Sequence, residues 1–312
     1  PATEDTVVTP AEYQTHLKKL ALTIHELGEP LFIAVQEAEN NSVLQALANR
    51  PELEATYSYL WQDSVDIRGI DVALLYQADR VNVLEWALRQ GCTTLVDGLG
   101  PDGNGDVILP ANALTCDTDG DGENDGNRLF SRQPLVAHVE VCEGVCGSGG
   151  REMWIIAAHL KSKTEDTDTI QYTLPRRIAQ AQFVAGLYAE ITGGEPGAEV
   201  VVLGDFNDYP DSQPLQILAG AGLVDQVVRV PQGFTYNFEG VSQVIDHILV
   251  SPGFLDNADE GLIPIIAHLN ADYPVSWEGV DSTSRRATDH DPVVLRVVEF
   301  TYWVGLPIIQ QP

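Results

Sequence analysis

The sequence predicts an α+β protein in which two β-sheets pack against each other and helices cover them from outside. Two observations carry this expectation. Apolar runs of strand length outnumber helical stretches, and they arrive in adjacent groups rather than in strict alternation with helices. The clearest of them, Val200, Val201, Val202 and Leu203 in "VVVLGDFNDYP", stops abruptly at Gly, acid, Asn and Pro, as a strand buried on both faces does.

The elements follow in order. Thr9 and Glu12 form a capping box, Pro10 takes the first helical position, and Leu17, Leu20, Ala21, Ile24 and Leu27 recur at helical spacing until Gly28 ends the helix. The strand "LFIAVQEA" comes next, then the helical run "SVLQALANR" and the strand-like "DVALLYQ" and "VNVLEWAL". Residues 97–128 lose periodicity, are rich in Gly, Asp and Asn, and read as a long acidic insertion loop. A hairpin over 135–160, a helix over 174–191, the strand at 200, a short helix near 213, "VIDHILVS" and "DPVVLRVVEF" complete the pattern. The closing "FTYWVGLPIIQQP", 300–312, is too short to span a bilayer and reads as a tail that covers a sheet edge or touches a surface. With 312 residues, no internal repeat and no linker, the chain is expected to form one domain over 1–312.

Lys and Arg number 17 against 46 Asp and Glu, so the formal charge of −29 repels nucleic acid and anionic membranes at long range. A phosphate-bearing substrate must then be met by local cations or a metal. Cys92, Cys116, Cys142 and Cys146 form no C-x-x-C pair. Cys142 and Cys146 flank a tight turn between two strand-like runs, which suits a local disulfide and leaves Cys92 with Cys116. Free thiols are the alternative, and sequence selects none of the three connectivities. Oxidised pairs imply export. The chain starts at Pro1 without Met, and a processed or trimmed start is expected.

The strong strands end alike. "VQEAEN" places Glu37 at a strand end, "AAHLKSK" places His159 there with Lys161 and Lys163 just beyond, "GDFND" gives Asp205 and Asn207, "VIDHI" gives Asp246, and "TDHDP" gives Asp289 and His290. Singly, a strand-end Glu is solvated and a lone His is structural; five such sites in one chain are not explained that way. In order over residues 30–298, this succession resembles the endonuclease/exonuclease/phosphatase superfamily of pancreatic deoxyribonuclease, apurinic endonucleases, sphingomyelinases and inositol polyphosphate phosphatases. It looks most like the bacterial extracellular nucleases among them.

The resemblance implies a four-layer α/β sandwich, two packed mixed β-sheets flanked by helices, and in-line attack of water on a phosphoester with Mg²⁺ or Mn²⁺ at the site. It makes Glu37 the first metal ligand, joined by Asp289, with Asp205 and Asn207 completing the shell or holding water. Such hard carboxylate and amide oxygens suit these ions. Asp246 orients His290, which serves as base or phosphate contact, and His159 stands across the phosphate as acid or electrostatic clamp. Arg68, Arg132, Lys161 and Lys163 are phosphate-binding candidates; Arg132 lies in "FSRQP", similar to an F-x-R-x-P segment of the superfamily, and a structural salt bridge is the other reading for either arginine. Tyr236 either stacks on a base or packs beneath its loop.

Two departures stand out. The superfamily normally opens with a strand ending in Asn, which residues 1–8 lack, and its pancreatic-type enzymes pair the first His with a Glu where this chain has Ile70, so that His159 either lacks its partner or uses Asp71. In the insertion, Asp117, Asp119, Asp121 and Asp125 with Gly122 match the first half of a calcium loop, but Arg128 at the twelfth position excludes an EF-hand. A structural Ca²⁺ bracing the insertion and a solvated acidic loop are both open. The expected function is a secreted, monomeric, divalent-metal-dependent nuclease of low specificity for DNA or RNA, without membrane insertion. The alternatives are a phosphatase or phosphodiesterase acting on a small phosphoester or lipid headgroup, and a calcium-dependent binding module with a dead site.

Overall fold

Helix α1 (Pro10–Glu26) begins with the reciprocal cap its sequence requires: Thr9 Oγ1 accepts from the Glu12 backbone N–H, and the Glu12 carboxylate accepts from the Thr9 N–H at 2.8 Å. The computed structural model describes residues 8–64, 66, 68–93, 107–108, 127–142, 146, 149–164, 166–167, 169–258, 261–297 and 302–306. After α1 come β1 (Phe32–Ala38), α2 (Asn41–Ala48), β2 (Tyr57–Leu60), β3 (Asp71–Gln77), β4 (Val81–Leu88), β5 (Cys92–Thr93), β6 (Val107–Ile108) and β7 (Asn127–Arg128). The second half contains β8 (Leu135–Val141), β9 (Arg151–His159), α3 (Leu174–Gly194), β10 (Val200–Asp205), α4 (Gln213–Gly220), β11 (Val224–Asp225), β12 (Tyr236–Phe238) and β13 (Val241–Gln243). The last elements are β14 (Asp246–Val250), α5 (Pro252–Asn257), β15 (Leu262–Ile266), β16 (Val293–Val297) and β17 (Tyr302–Leu306).

Two six-stranded sheets result, ordered β15-β16-β17-β1-β3-β2 and β11-β14-β10-β9-β8-β4. Both are mixed, since β1 runs parallel to β17 and β9 parallel to β10 while the other neighbours are antiparallel. Alternation along β10 explains the layering. Val201 and Leu203 join Phe32, Leu74, Ile155 and Leu295 in a core between the sheets. Val200 and Val202 point the other way, into a second core with Phe183 and Leu187 of α3 and Leu218 of α4. Ile33 and Val35 of β1 meet Leu20 and Ile24 of α1 and Leu44 of α2 in a third. The order is therefore helix, sheet, sheet, helix, and the apolar runs are continuous because both faces of each central strand are covered.

Two expectations change. The closing segment does not cover an edge: β17 is an interior strand, antiparallel to β16 and parallel to β1. Within the insertion, β6 and β7 both pair with β5, which two-residue strands give no periodicity to reveal. The calcium candidates Asp117, Asp119, Asp121 and Asp125 lie outside the described residues, as does the stretch before Val8 where a strand ending in Asn was sought. Cys142 and Cys146 are joined by a disulfide. Cys92 is also disulfide-bonded, and Cys116 lies outside the described residues. Among the described residues no helix is long and apolar enough to cross a membrane.

Candidate active site

The pairing registers of β9, β10 and β14 set His159, Asp205 and Asp246 side by side in one row. Asp205 continues the inward series of Val201 and Leu203 just beyond the apolar core, so the row faces the rim of the cleft between the sheets. Gly204 lets the strands approach: its φ is 151°, and a Cβ there would lie 1.7 Å from the Ala158 carbonyl oxygen. Gly204→Ala is therefore expected to destabilise the protein by about 3 kcal/mol or more in urea denaturation, and to displace Asp205 beside it.

The other sheet supplies the opposite wall. The β1–β3 register shifts between Val35 and Ala38, and Glu37 adopts a φ of 56° within that bulge, which turns its carboxylate to the rim. Beside it Gln36 is fully buried, and neither amide atom has a hydrogen-bond partner among the described residues. His290 stands just before β16, its carbonyl accepting from Asn270 Nδ2 and Thr288 Oγ1 at 2.8 Å each. The Asp291 carboxylate fixes the facing turn by accepting from the backbone N–H groups of Leu269, Asn270 and Ala271. His290 Nδ1 lies 2.8 Å from Asp246 Oδ2, joining the two sheets. The Tyr236 ring packs over the imidazole with centroids 4.4 Å apart.

Asn207, with a φ of 49°, folds back so that its backbone and amide N–H groups donate to the two Asp205 oxygens at 2.7 and 3.1 Å. Arg132 is almost fully buried, with Nη1 3.5 Å from Glu37 Oε1, so phosphate contact and salt bridge are not exclusive readings for it. Arg68 is 57% exposed in its side chain and paired with Asp66 at 3.1 Å. Lys163 Nζ sits 3.6 Å above the Tyr209 ring and 4.0 Å from Asp208, while the Lys161 backbone is gripped by Gln180 and Arg177. Asp71 is not the partner of His159: its oxygens accept from Trp61 Nε1 and the Ser64 N–H. His159 Nε2 instead lies 3.4 Å from Asp205 Oδ2, and its buried Nδ1 has no hydrogen-bond partner among the described residues.

Like charges directly opposite in a sheet repel. Burial, then the neighbouring Asp246, push the Asp205 carboxyl up to about 7. Burial pulls the His290 imidazole down, but Asp246, Asp205 and Asp289 outweigh it and lift the group to about 10. Burial and the Arg132 guanidinium hold His159 well below the ordinary histidine value, so it is neutral. Burial raises Glu37 as well, with Arg132 and Arg68 opposing. Donor atoms of Asp205, Asp246 and His290 lie within 4.8 Å of one another, and Asp246 Oδ1 is buried without a hydrogen-bond partner among the described residues. Crowded carboxylates, one of them pushed up to about 7 and the other with an orphaned oxygen, fit a divalent cation with hard oxygen ligands.

A pH effect follows. Asp205 has a folded value above its unfolded 3.8, so the stability it contributes in the metal-free protein is complete below about 4 and lost as pH rises through about 7. A cation bound to the ionised carboxylate offsets that loss. The increase in melting temperature given by saturating Mg²⁺ is accordingly expected to grow from pH 4 to pH 7; a constant increment across that window would contradict it.

Fold and site together gather acids, histidines and an arginine on one rim, a set suited to metal-assisted hydrolysis of a phosphoric ester. Residues 2–90, which carry Gln36 and Glu37, match the model of the endonuclease/exonuclease/phosphatase family. Among curated proteins no sequence matches the chain. Its fold is similar to that of the mannosyl-6-phosphatase Bt3783 of Bacteroides thetaiotaomicron, with 15% identity, a TM-score of 0.55 and 91% of each chain covered. A Bacteroides vulgatus endonuclease/exonuclease/phosphatase protein aligns at 15% identity and a TM-score of 0.56, over 91% of this chain and 89% of that one. D. rerio TDP2, solved with a single-strand DNA product, aligns at 16% identity and a TM-score of 0.55 over 90% of each chain. The chain therefore has the endonuclease/exonuclease/phosphatase fold, and its first motif lies within the stretch that matches the family in sequence.

Proposed function

We propose that the protein is a secreted, monomeric nuclease of low sequence specificity that hydrolyses DNA or RNA phosphodiesters with Mg²⁺ or Mn²⁺. The observation that carries this reading is the His290–Asp246 pair at 2.8 Å with Asp205 beside it, on the rim that Glu37 closes from the other sheet. Glu37 and Asp289 would hold the ion, and Asp205 and Asn207 would complete its shell. The ion, when bound, supplies charge to the non-bridging phosphate oxygens and acidifies water.

The protein's own groups do the rest. The acids around His290 hold its imidazole up to about 10 and orient the ring, which places Nε2 to take the proton of the attacking water. Asp246 keeps the other ring nitrogen protonated and fixes the ring. Neutral His159 and buried Arg132 face the phosphate from the far side, as hydrogen-bonding and charged contacts. Arg68, Lys161 and Lys163 meet the flanking phosphates and offset the charge of −29 locally. A structural Ca²⁺ held by Asp117, Asp119, Asp121 and Asp125 belongs to the same proposal.

The DNA product in the TDP2 structure supports the nucleic-acid reading. The mannosyl-6-phosphatase supports a second one, hydrolysis of a small phosphoester, as does a cavity of about 660 Å³ beside Asp289, lined also by His16, Glu278, Arg286 and Thr288. The test is cleavage of plasmid DNA, RNA, a phospholipid and a small phosphodiester, each with Mg²⁺, Mn²⁺, Ca²⁺ or chelator. Nicking of plasmid or RNA with Mg²⁺ or Mn²⁺, abolished by chelator, is expected. Activity confined to the small ester would install the second reading.

A further inference from the structure

Lys19 is the anomaly of α1. The residue is 1% exposed and among the described residues meets no carboxylate within hydrogen-bond reach; its Nζ donates to four backbone carbonyls, those of Trp277 and Val280 at 3.0 Å, Thr283 at 3.1 Å and Arg285 at 2.6 Å. Three N–H groups are shared among four oxygens on one loop. Burial pulls the ammonium below the ordinary lysine value, with Glu278 and Asp281 opposing, so the carbonyls and these two acids hold a charge that the core alone would reject.

The caged loop leads directly to the site. One residue past Arg285, the Arg286 N–H donates to the Leu269 carbonyl at 2.8 Å, and the Ala287 N–H donates to Asn270 Oδ1 at 2.9 Å. The amide of that same Asn270 holds the His290 carbonyl at 2.8 Å. Hydrogen bonds thus run from Lys19 through the loop to the backbone of His290, and Asp289 lies between the two anchors. Neighbouring contacts from α1, Lys18 to Asp281 and Glu26 to Arg285, lie on the exposed side and cannot fill the cage.

We propose that the Lys19 ammonium acts as a built-in monovalent cation, a positioning residue whose carbonyl cage sets the 277–286 loop and through it Asp289 and His290. Carbonyl oxygens converging on one point are also the ligands of potassium sites. Removing the ammonium should leave a cage that K⁺ or NH₄⁺ can fill and a larger cation cannot. As far as activity is the readout, this rests on the hydrolase reading above; the stability and exchange readouts do not.

The test compares wild type and Lys19→Ala in potassium, ammonium and tetramethylammonium chloride at equal ionic strength. Measured are kcat and KM on plasmid DNA, melting temperature, and hydrogen exchange over 277–286. In tetramethylammonium the variant should lose about 10- to 100-fold in kcat, as expected for slight misplacement of reacting groups, with KM little changed. Potassium or ammonium should restore most of that loss, raise the variant's melting temperature and protect the loop, while leaving wild type indifferent. Wild-type kcat in tetramethylammonium, or no difference among the salts in melting and exchange, would overturn the proposal. If Lys19→Ala does not fold in any salt, Lys19→Gln, which keeps two N–H donors, takes its place. Failure of both to fold in every salt would also overturn it, because positioning one loop does not require the three cores to collapse. A wild type without hydrolytic activity would refute the hydrolase reading but leave the salt-specific melting and exchange to decide on the cage.

Discussion

His290→Ala is expected to lower kcat for phosphodiester hydrolysis by about 10²–10⁴-fold, the usual contribution of a placed base, while the metal concentration for half-maximal rate stays near that of wild type. The His290 side chain is 6% exposed, locked by Asp246 at 2.8 Å and covered by Tyr236, so its Nε2 is held in one place. Asp246→Asn should give the same phenotype in milder form, because the ring stays in place while its orienting charge is lost. The change should also remove most of the elevation of His290, which rests first on Asp246 among the attracting groups. A pH profile of each variant's kcat checks both statements. Wild-type turnover in both variants would place the chemistry elsewhere.

Glu37→Ala should act through a different quantity. Its carboxylate is held at the rim by a bulge, with Arg132 Nη1 3.5 Å from it. Without Glu37 the remaining acids still attract the ion but grip it less well, so the metal concentration for half-maximal cleavage should rise about tenfold to a hundredfold. Saturating Mn²⁺ should recover part of the rate. A metal titration of plasmid cleavage separates this from the His290 effect. If Glu37→Ala keeps wild-type metal dependence while His290→Ala shifts it, the two roles have been exchanged.

Much of this arrangement could be read from the sequence because the strands announce their ends. Glu37, His159, Asp205, Asp246 and His290 are each preceded or followed by an apolar run, and the structure does bring them to one rim. The capping box at Thr9 and Glu12 is equally local, and it forms as written. What stayed hidden depends on contacts far apart in the chain. Nothing in "VQEAEN" signals that Glu37 takes a positive φ, since the cause is a register shift against β3. The acid beside His159 is Asp205, 46 positions away and made a neighbour only by parallel pairing of β9 with β10. Asp291 and Asn270, which frame His290, sit 21 residues apart, with the "TDHDP" motif the one hint of the first. Lys19 looks like any polar position of an amphipathic helix until the loop 258 residues later closes over it.

The most direct measurement is anomalous diffraction from crystals of the wild-type protein soaked in Mn²⁺. The account predicts a manganese peak on the rim between the sheets, with Glu37 and Asp289 among its ligands and Asp205 or Asn207 completing the shell at short oxygen–metal distances of about 2.0–2.2 Å. A manganese peak bound away from these residues, or a rim that stays empty while the crystals take up the ion elsewhere, would contradict it.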